Sequence, residues 1–193
     1  MACGFHEHNM DLLDAIKRAA AANILVFAAP SNDSNAGEIA YPAGYYDQVF
    51  CMFSTDGGVK NSRKINPTGG PSKHNFAILG EDIRAHDGEQ KSGTSYSTAI
   101  AAGLAGRLLD FSRHHDSLER IEAASSMKDK QGMTKLLLAM AERDQSYECI
   151  KPWKLLPRPL RDYIPFDSSP TDSERDKARI SICGIITRCL TEV

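Results

Sequence analysis

The run Gly93-Thr94-Ser95-Tyr96-Ser97-Thr98-Ala99-Ile100-Ala101-Ala102-Gly103-Leu104-Ala105-Gly106 constrains this chain more than any other stretch. A Gly-Thr-Ser corner passes directly into small and apolar residues. Small side chains let neighbouring backbones approach closely, so the run predicts a helix packed on several sides, from Ser95 to about residue 112. Ser95 then lies in the first turn, where backbone N–H groups lack an intrahelical acceptor and the helix dipole favours negative charge. A hydroxyl and a free N–H at one helix start are two parts of an acyl-transfer site. They are also the parts of an ordinary N-cap, the commoner use of Thr or Ser at such a place. This stretch alone leaves both readings open.

The rest of the chain supplies a frame for that helix. Ile24 to Ala29 is an uninterrupted apolar run of strand length, and Gln48 to Ser54 is a second. Such runs suit strands buried on both faces, as in a parallel sheet. Ahead of the first, Asp11 to Ala22 carries Leu12, Leu13, Ile16, Ala19 and Ala20 at helical spacing, with Asp11 and Asp14 at the positive end. A helix followed by a buried strand is half of a βαβ unit. Residues 1–5 read as the end of a further strand, and Phe76 to Gly80 and Ile83 to Ala85 as short ones. Residues 59–75, rich in Asn, Gly, Pro, Ser and Lys, read as an extended surface loop. The first buried strand ends in the polar loop Pro30 to Gly37. In open α/β sheets, function collects at the carboxyl ends of strands. Asn32 stands there, either as a turn residue or as a site residue.

Past residue 112 the pattern changes. Gly132 to Arg143 has Met133, Leu136, Leu137, Met140 and Ala141 at helical spacing. Pro152, Pro157 and Pro159 predict irregular chain up to Pro170. Thr171 and Glu174 form a capping-box signature, opening a last helix with Ile182, Ile185, Ile186, Cys189 and Leu190 on one face. The break between core and tail is expected at 113–127, giving a core of residues 1–112 and a helical or irregular extension of residues 113–193.

Taken together, the pieces resemble the second half of a subtilisin-like serine protease domain. Gly93 to Ala99 resembles the nucleophile motif Gly-Thr-Ser-x-Ala-Thr-Pro, and Ala102 to Ala105 the apolar helix behind it. Ala28-Ala29-Pro30-Ser31-Asn32-Asp33 resembles the Ala-Ala-Ala-Gly-Asn-Glu strand end that carries the oxyanion asparagine. Tyr41-Pro42-Ala43, Val49 to Asp56 and Leu79-Gly80 match the elements between, in order. Met1-Ala2-Cys3-Gly4 resembles the end of the Met-Ser-Leu-Gly strand. The resemblance implies a three-layer α/β fold, a largely parallel sheet with helices on both faces, whose amino-terminal half is missing. It also implies that Ser95 is the nucleophile and that Asn32 holds the oxyanion with the Ser95 N–H. Ala2, Cys3, Gly4, Ala29, Pro30, Ser31, Gly93 and Thr94 would bound the substrate pocket.

The departures bear on activity. Ala99 replaces the motif's Pro and Ser97 its Ala. In subtilisin-like enzymes the triad runs Asp, His, Ser, and the Asp and His motifs precede the part that Met1 matches. No Gly-Thr follows His6 or His8, His74 falls in the surface loop, His86 precedes the nucleophile corner, and His114 and His115 lie at the far end of its helix. None is expected to be the general base.

Composition settles what the chain is expected to meet. Over 193 residues the net charge is −2, which favours neither nucleic acid nor an anionic membrane as partner. No run approaches a membrane span, and the first residues lack the basic start and apolar core of a signal peptide. Five cysteines, an odd number without a CxxC pair, argue against a disulfide framework or a zinc site. They fit reduced thiols inside a cell. The expectation is a serine-type endopeptidase fragment with no cofactor and no metal, acting on peptide or protein and needing a missing amino-terminal half or complementing partner. A peptide-binding remnant that does not cut is the second reading, and an α/β protein with a chance match the third.

Overall fold

Alternation within one strand sets the architecture. The computed structural model describes residues 1–33, 38–62, 64–156 and 171–192. In it Val49–Thr55 (β2) is buried along its whole length. Phe50 and Met52 face one way, into a core with Phe27, Phe76 and Ile78. Val49, Cys51 and Phe53 face the other way, beside Ile16, Ala28 and Ala77. A strand buried on both faces needs helices on both. Met10–Ala21 (α1) covers the second face through Ile16, with Asn9 as its N-cap. Thr94–Arg113 (α2) covers the first through Ala101, Ala105 and Leu108.

Val26–Ala28 (β1), β2 and Asn75–Leu79 (β3) run parallel. Ile83–Arg84 (β4) and Gln90–Lys91 (β5) form a small separate hairpin that leads to α2. A four-residue helix, His115–Leu118 (α3), and a 3₁₀ turn at Ala124–Lys128 then lead to Lys130–Met140 (α4). Ala141–Asp144 (β6) and Tyr147–Ile150 (β7) follow, and Asp172–Thr191 (α5) ends the described chain. The main sheet has the order β1-β2-β3-β7-β6, with β7 parallel to β3 and β6 antiparallel to β7.

The mostly parallel sheet between helical layers is the α/β fold expected, and the expected helices, the strands other than residues 1–5, and the carboxyl-terminal helical tail are present. The capping box is also there: Thr171 accepts from the Glu174 N–H, and Glu174 accepts from the Thr171 N–H at 2.8 Å. Three differences have physical causes. The helix expected over 132–143 stops at Met140, and residues 141–144 form β6 instead. Ala, Glu and Arg favour helix, yet pairing with β7 across a turn at Gln145 (φ 57°) overrides that preference. Residues 59–75 are not wholly a surface loop. Asn66 is buried, and its side chain bonds both the N–H and the carbonyl of Ser54 at 2.7 Å, as a neighbouring strand would. Finally, the part past residue 112 is woven into the core. β7 pairs with β3, while Met133, Leu136, Leu137 and Ile186 are fully buried against the α2 side of the sheet. Part of the segment expected to be irregular, residues 157–170, lies outside the described residues, as does the loop at 34–37.

The two sheet edges differ. β6 closes one edge. At the other, β1 is only three residues long, and Met1 lies beside it, its amino group on the Phe27 carbonyl and its carbonyl accepting from the Ala29 N–H at 3.1 Å. Residues 1–5 thus sit in the expected strand position, but their one ladder contact is a bridge from Phe5 to Tyr41. Among the described residues no helix is long and apolar enough to cross a membrane, and all five cysteines are free thiols.

Candidate active site

The start of α2 is fixed by two glycines. Gly93 has φ 156° and ψ 157°, a backbone region open essentially to glycine alone. Its N–H donates to the Gly80 carbonyl at 2.8 Å, tying the helix start to the end of β3. A Cβ on Gly80 would collide with the hydroxyl oxygens of Ser97 and Ser54. Ser97 is fully buried, so a larger residue at 80 would push the first turn of α2 off the sheet. With this anchorage Ser95 is the second residue of the helix, in the first turn as the sequence predicts. Its N–H is one of those without an intrahelical acceptor. Its hydroxyl donates to the Ala2 carbonyl at 3.2 Å.

Asn32 arrives from the carboxyl end of β1. Its Oδ1 accepts from the Thr94 N–H at 2.8 Å and lies 3.0 Å from Thr94 Oγ1. That hydroxyl is also 3.0 Å from the Ser31 carbonyl. With Oδ1 so engaged, the amide's remaining hydrogen-bonding capacity is its NH₂ group, a donor. Thr94 is completely buried and so acts from behind, holding the β1 loop against the helix start. The sequence placed Thr94 in the pocket wall but carried no signal of this positioning role, which depends on how β1 and α2 meet.

Ser95, Asn32 and Thr94 share one cleft of about 200 Å³ with Ala2, Cys3, Gly4, Ala29 and Ser31. Pro30 and Gly93 stand behind that lining. The Pro30 carbonyl accepts from the Ala40 N–H at 2.6 Å, and Gly93 lies where a Cβ would press on the Asn32 amide at 3.3 Å. Ala40, Asp33 and His6 line the cleft without having been expected there. Ala40 has a sequence signal only in hindsight: it sits where a Cβ on Gly4 would clash with it at 2.6 Å.

The histidines are dispersed. His8 packs edge-on against Tyr41 and Tyr45, with centroids 5.4 Å away in each case. His114 takes a contact from Arg179 at 2.9 Å at the far end of α2. His74 lies against Phe76, with ring centroids 5.8 Å apart. Among the described residues no imidazole is hydrogen-bonded to Ser95. The cleft is thus lined by a serine at a helix start and by an asparagine at a strand end whose amide retains a donor; such groups are of the kind that bind a developing oxyanion.

The mostly parallel sheet between helical layers is a fold that the comparisons find again in subtilisin-like proteases. The subtilisin-like protease het-Q2 of Podospora anserina is 28% identical over 154 residues, spanning 69% of this chain and 40% of that protein. The prenylagaramide maturation protease PagA superposes with a TM-score of 0.56 at 21% identity, covering 99% of this chain and 59% of that one. A serine-to-alanine mutant of the protease domain of PatA superposes with a TM-score of 0.59 at 23% identity, covering 78% and 53%. No family model matches the chain. The chain is thus similar in sequence and fold to subtilisin-like proteases, and it spans about half the length of these relatives.

Proposed function

We propose that this chain is the carboxyl-terminal half of a subtilisin-like serine endopeptidase site. In this reading Ser95 attacks the scissile carbonyl, and the Ser95 N–H and Asn32 NH₂ hold the oxyanion of the tetrahedral intermediate. The backbone edges at Ala2 to Gly4 and Ala29 to Ser31 pair with an extended peptide or protein substrate. The observation that carries the proposal is the Thr94 clamp: it engages Asn32 Oδ1 and leaves the NH₂ group as the amide's remaining donor, in a cleft that Ser95 also lines.

Ser95 alone cannot complete the chemistry, because a serine hydroxyl of high pKa needs a base to take its proton. In this reading the Asp and His come from a part of a subtilisin-like domain that the chain does not span. Two features suit such a partner. Large apolar side chains near the β1 edge are open to solvent, with Phe5 55%, Met10 59% and Ile24 58% exposed. Ala99, Ala102, Gly103 and Gly106 form an exposed stripe along one face of α2, and a Cβ on either glycine would meet nothing.

The test is phosphonate labelling of the purified full chain, alone and with the amino-terminal half of a subtilisin-like domain supplied in cis or in trans. The chain alone is expected to stay unlabelled, and labelling at Ser95 to appear when the Asp and His are supplied. Tight peptide binding without labelling in both states would favour the second reading, a peptide-binding remnant. Hydrolysis by the chain alone, abolished by Ser95→Ala, would reveal a base of its own, and His6 would be the first to replace because it lines the cleft.

A further inference from the structure

A second cleft, of about 870 Å³, opens at the opposite end of the parallel strands. Its floor includes Phe50 and Phe76, near the amino-terminal ends of β2 and β3. Lysines reach it from three places remote in sequence: Lys17 on α1, Lys73 just before β3, and Lys130 and Lys135 on α4. Asp47 is the sole carboxylate among its lining residues. In a chain of net charge −2 this is a marked segregation of charge.

The four ammonium groups are not equivalent. Lys135 donates to the carbonyls of Leu190 and Glu192 at 3.1 Å each, so it closes the end of α5 and adds only its field. Lys17 lies 4.0 Å from Asp14 in solvent. Lys130 is half-buried, donates to the Tyr46 carbonyl, and sits 5.5 Å over the Phe50 ring. Burial lowers its pKa, against the opposing charge of Asp47. An ammonium has three donors, and one bond to a carbonyl leaves two for a ligand. Beside it, His74 has its Nδ1 buried without a hydrogen-bond partner among the described residues. Its pKa is lowered by burial first and then by Lys73 and Lys130, with Glu148 on β7 opposing. The first turn of α4 is already capped by Asp129, which accepts from the Gly132 N–H at 2.8 Å, so the helix end does not enter the case.

The donor set narrows the ligand. No arginine lines the cleft. The planar fork that pairs with a carboxylate is therefore missing, whereas lysine as a point charge is a common phosphate binder. An apolar, partly aromatic floor under a few polar groups suits an organic body. We propose that this cleft binds a phosphate-bearing small molecule of nucleotide make-up, its phosphates on Lys73, Lys130 and His74 and its organic body along the half-buried Tyr46, since Phe50 and Phe76 lie almost wholly buried beneath. The site is independent of Ser95 and of the proposed peptidase chemistry.

Calorimetric titration of the full chain with ATP, inorganic tripolyphosphate and adenosine tests this. ATP is expected to bind in the sub-millimolar range, tripolyphosphate more weakly and adenosine weakest, with affinity falling as salt rises. Lys73→Gln and Lys130→Gln should each weaken ATP binding about tenfold, the effect of losing one charge-assisted contact. Lys73 is exposed, so its variant answers even if Lys130→Gln lowers thermal stability. Absence of ATP binding at millimolar concentration, or affinity unchanged in both variants, would overturn the site. Equal affinities for ATP and tripolyphosphate would overturn the organic body. A single-stranded oligonucleotide that displaces ATP would reassign the cleft to nucleic acid.

Discussion

The two edges of the sheet are built to different standards. Beyond β3, the β7–β6 hairpin, α4 and α5 bury Met133, Leu136, Leu137, Met140 and Ile186 completely. At β1 the strand is short and the flanking residues 1–5 make one bridge; Phe5, Met10 and Ile24 stand in solvent there, as Trp153 and Ile180 do on the other side, so it is the pairing and the depth of the core that differ. The candidate site lies on the unfinished side. Its anchoring bonds, however, reach inward to Gly80 and to the Thr94 clamp. A candidate cleft can thus be anchored by the inner part of a sheet while its lining stands at the short edge.

The largest expected effect breaks this comparison most directly. Supplying an amino-terminal half with Asp and His should raise peptide hydrolysis from undetectable to measurable. The scale is set by subtilisin itself, where losing the Ser or His alone costs about 2 × 10⁶ in kcat. No gain in turnover, with the two halves shown to associate, would mean that the β1 side is not a catalytic interface. Next, Asn32→Ala in the complemented enzyme should lower kcat by about 10²–10³, again the subtilisin magnitude. KM should change little, because the amide meets the oxyanion rather than the ground state. An equal loss in KM would move Asn32 from the oxyanion to substrate binding.

Stability should show the contrast between edges without any partner. Leu137→Ala, at a side chain with no exposure, should cost about 2–5 kcal/mol by urea unfolding. Met10→Ala, at a side chain 59% exposed, should stay within about 0.5 kcal/mol. Similar values for both would erase the distinction. The smallest effect is alkaline. Burial pushes the Cys149 thiol up to about 11 from an ordinary 9.0, and burial raises Cys51 further still. The folded chain keeps protons that the unfolded chain releases, so this contribution is complete below pH 9.0 and is lost as pH rises toward about 11. The urea midpoint should fall over that window and fall less steeply in Cys51→Ala/Cys149→Ala, with Tyr46 and Tyr147, whose pKa values burial also raises, keeping part of the slope above pH 10.0.

What was legible in the sequence was local. The uninterrupted runs at 24–29 and 48–54 declared β1 and β2, and the small-residue run declared α2, because burial on both faces leaves a pattern within a few residues. Ser95 and Asn32 could be paired through motif order, although 63 positions separate them. The β6 strand was not legible, since Ala141 to Asp144 carry helix-favouring side chains and owe their conformation to β7. Nor was the role of Asn66, which fills a strand's place only once Ser54 is beside it. The lysine cleft was hidden for the same reason: Lys17, Lys73, Lys130 and Lys135 become neighbours only after the sheet has formed.

The Thr94 clamp has one more consequence. Because a single residue grips the end of β1 through its N–H and hydroxyl while belonging to α2, Asn32 and Ser95 cannot drift apart while those bonds last. Deuterium uptake at one amide, that of Thr94, would therefore time the opening of the whole candidate cleft. A ligand that mimics the tetrahedral intermediate should slow that uptake in proportion to its occupancy, before any catalytic partner is present.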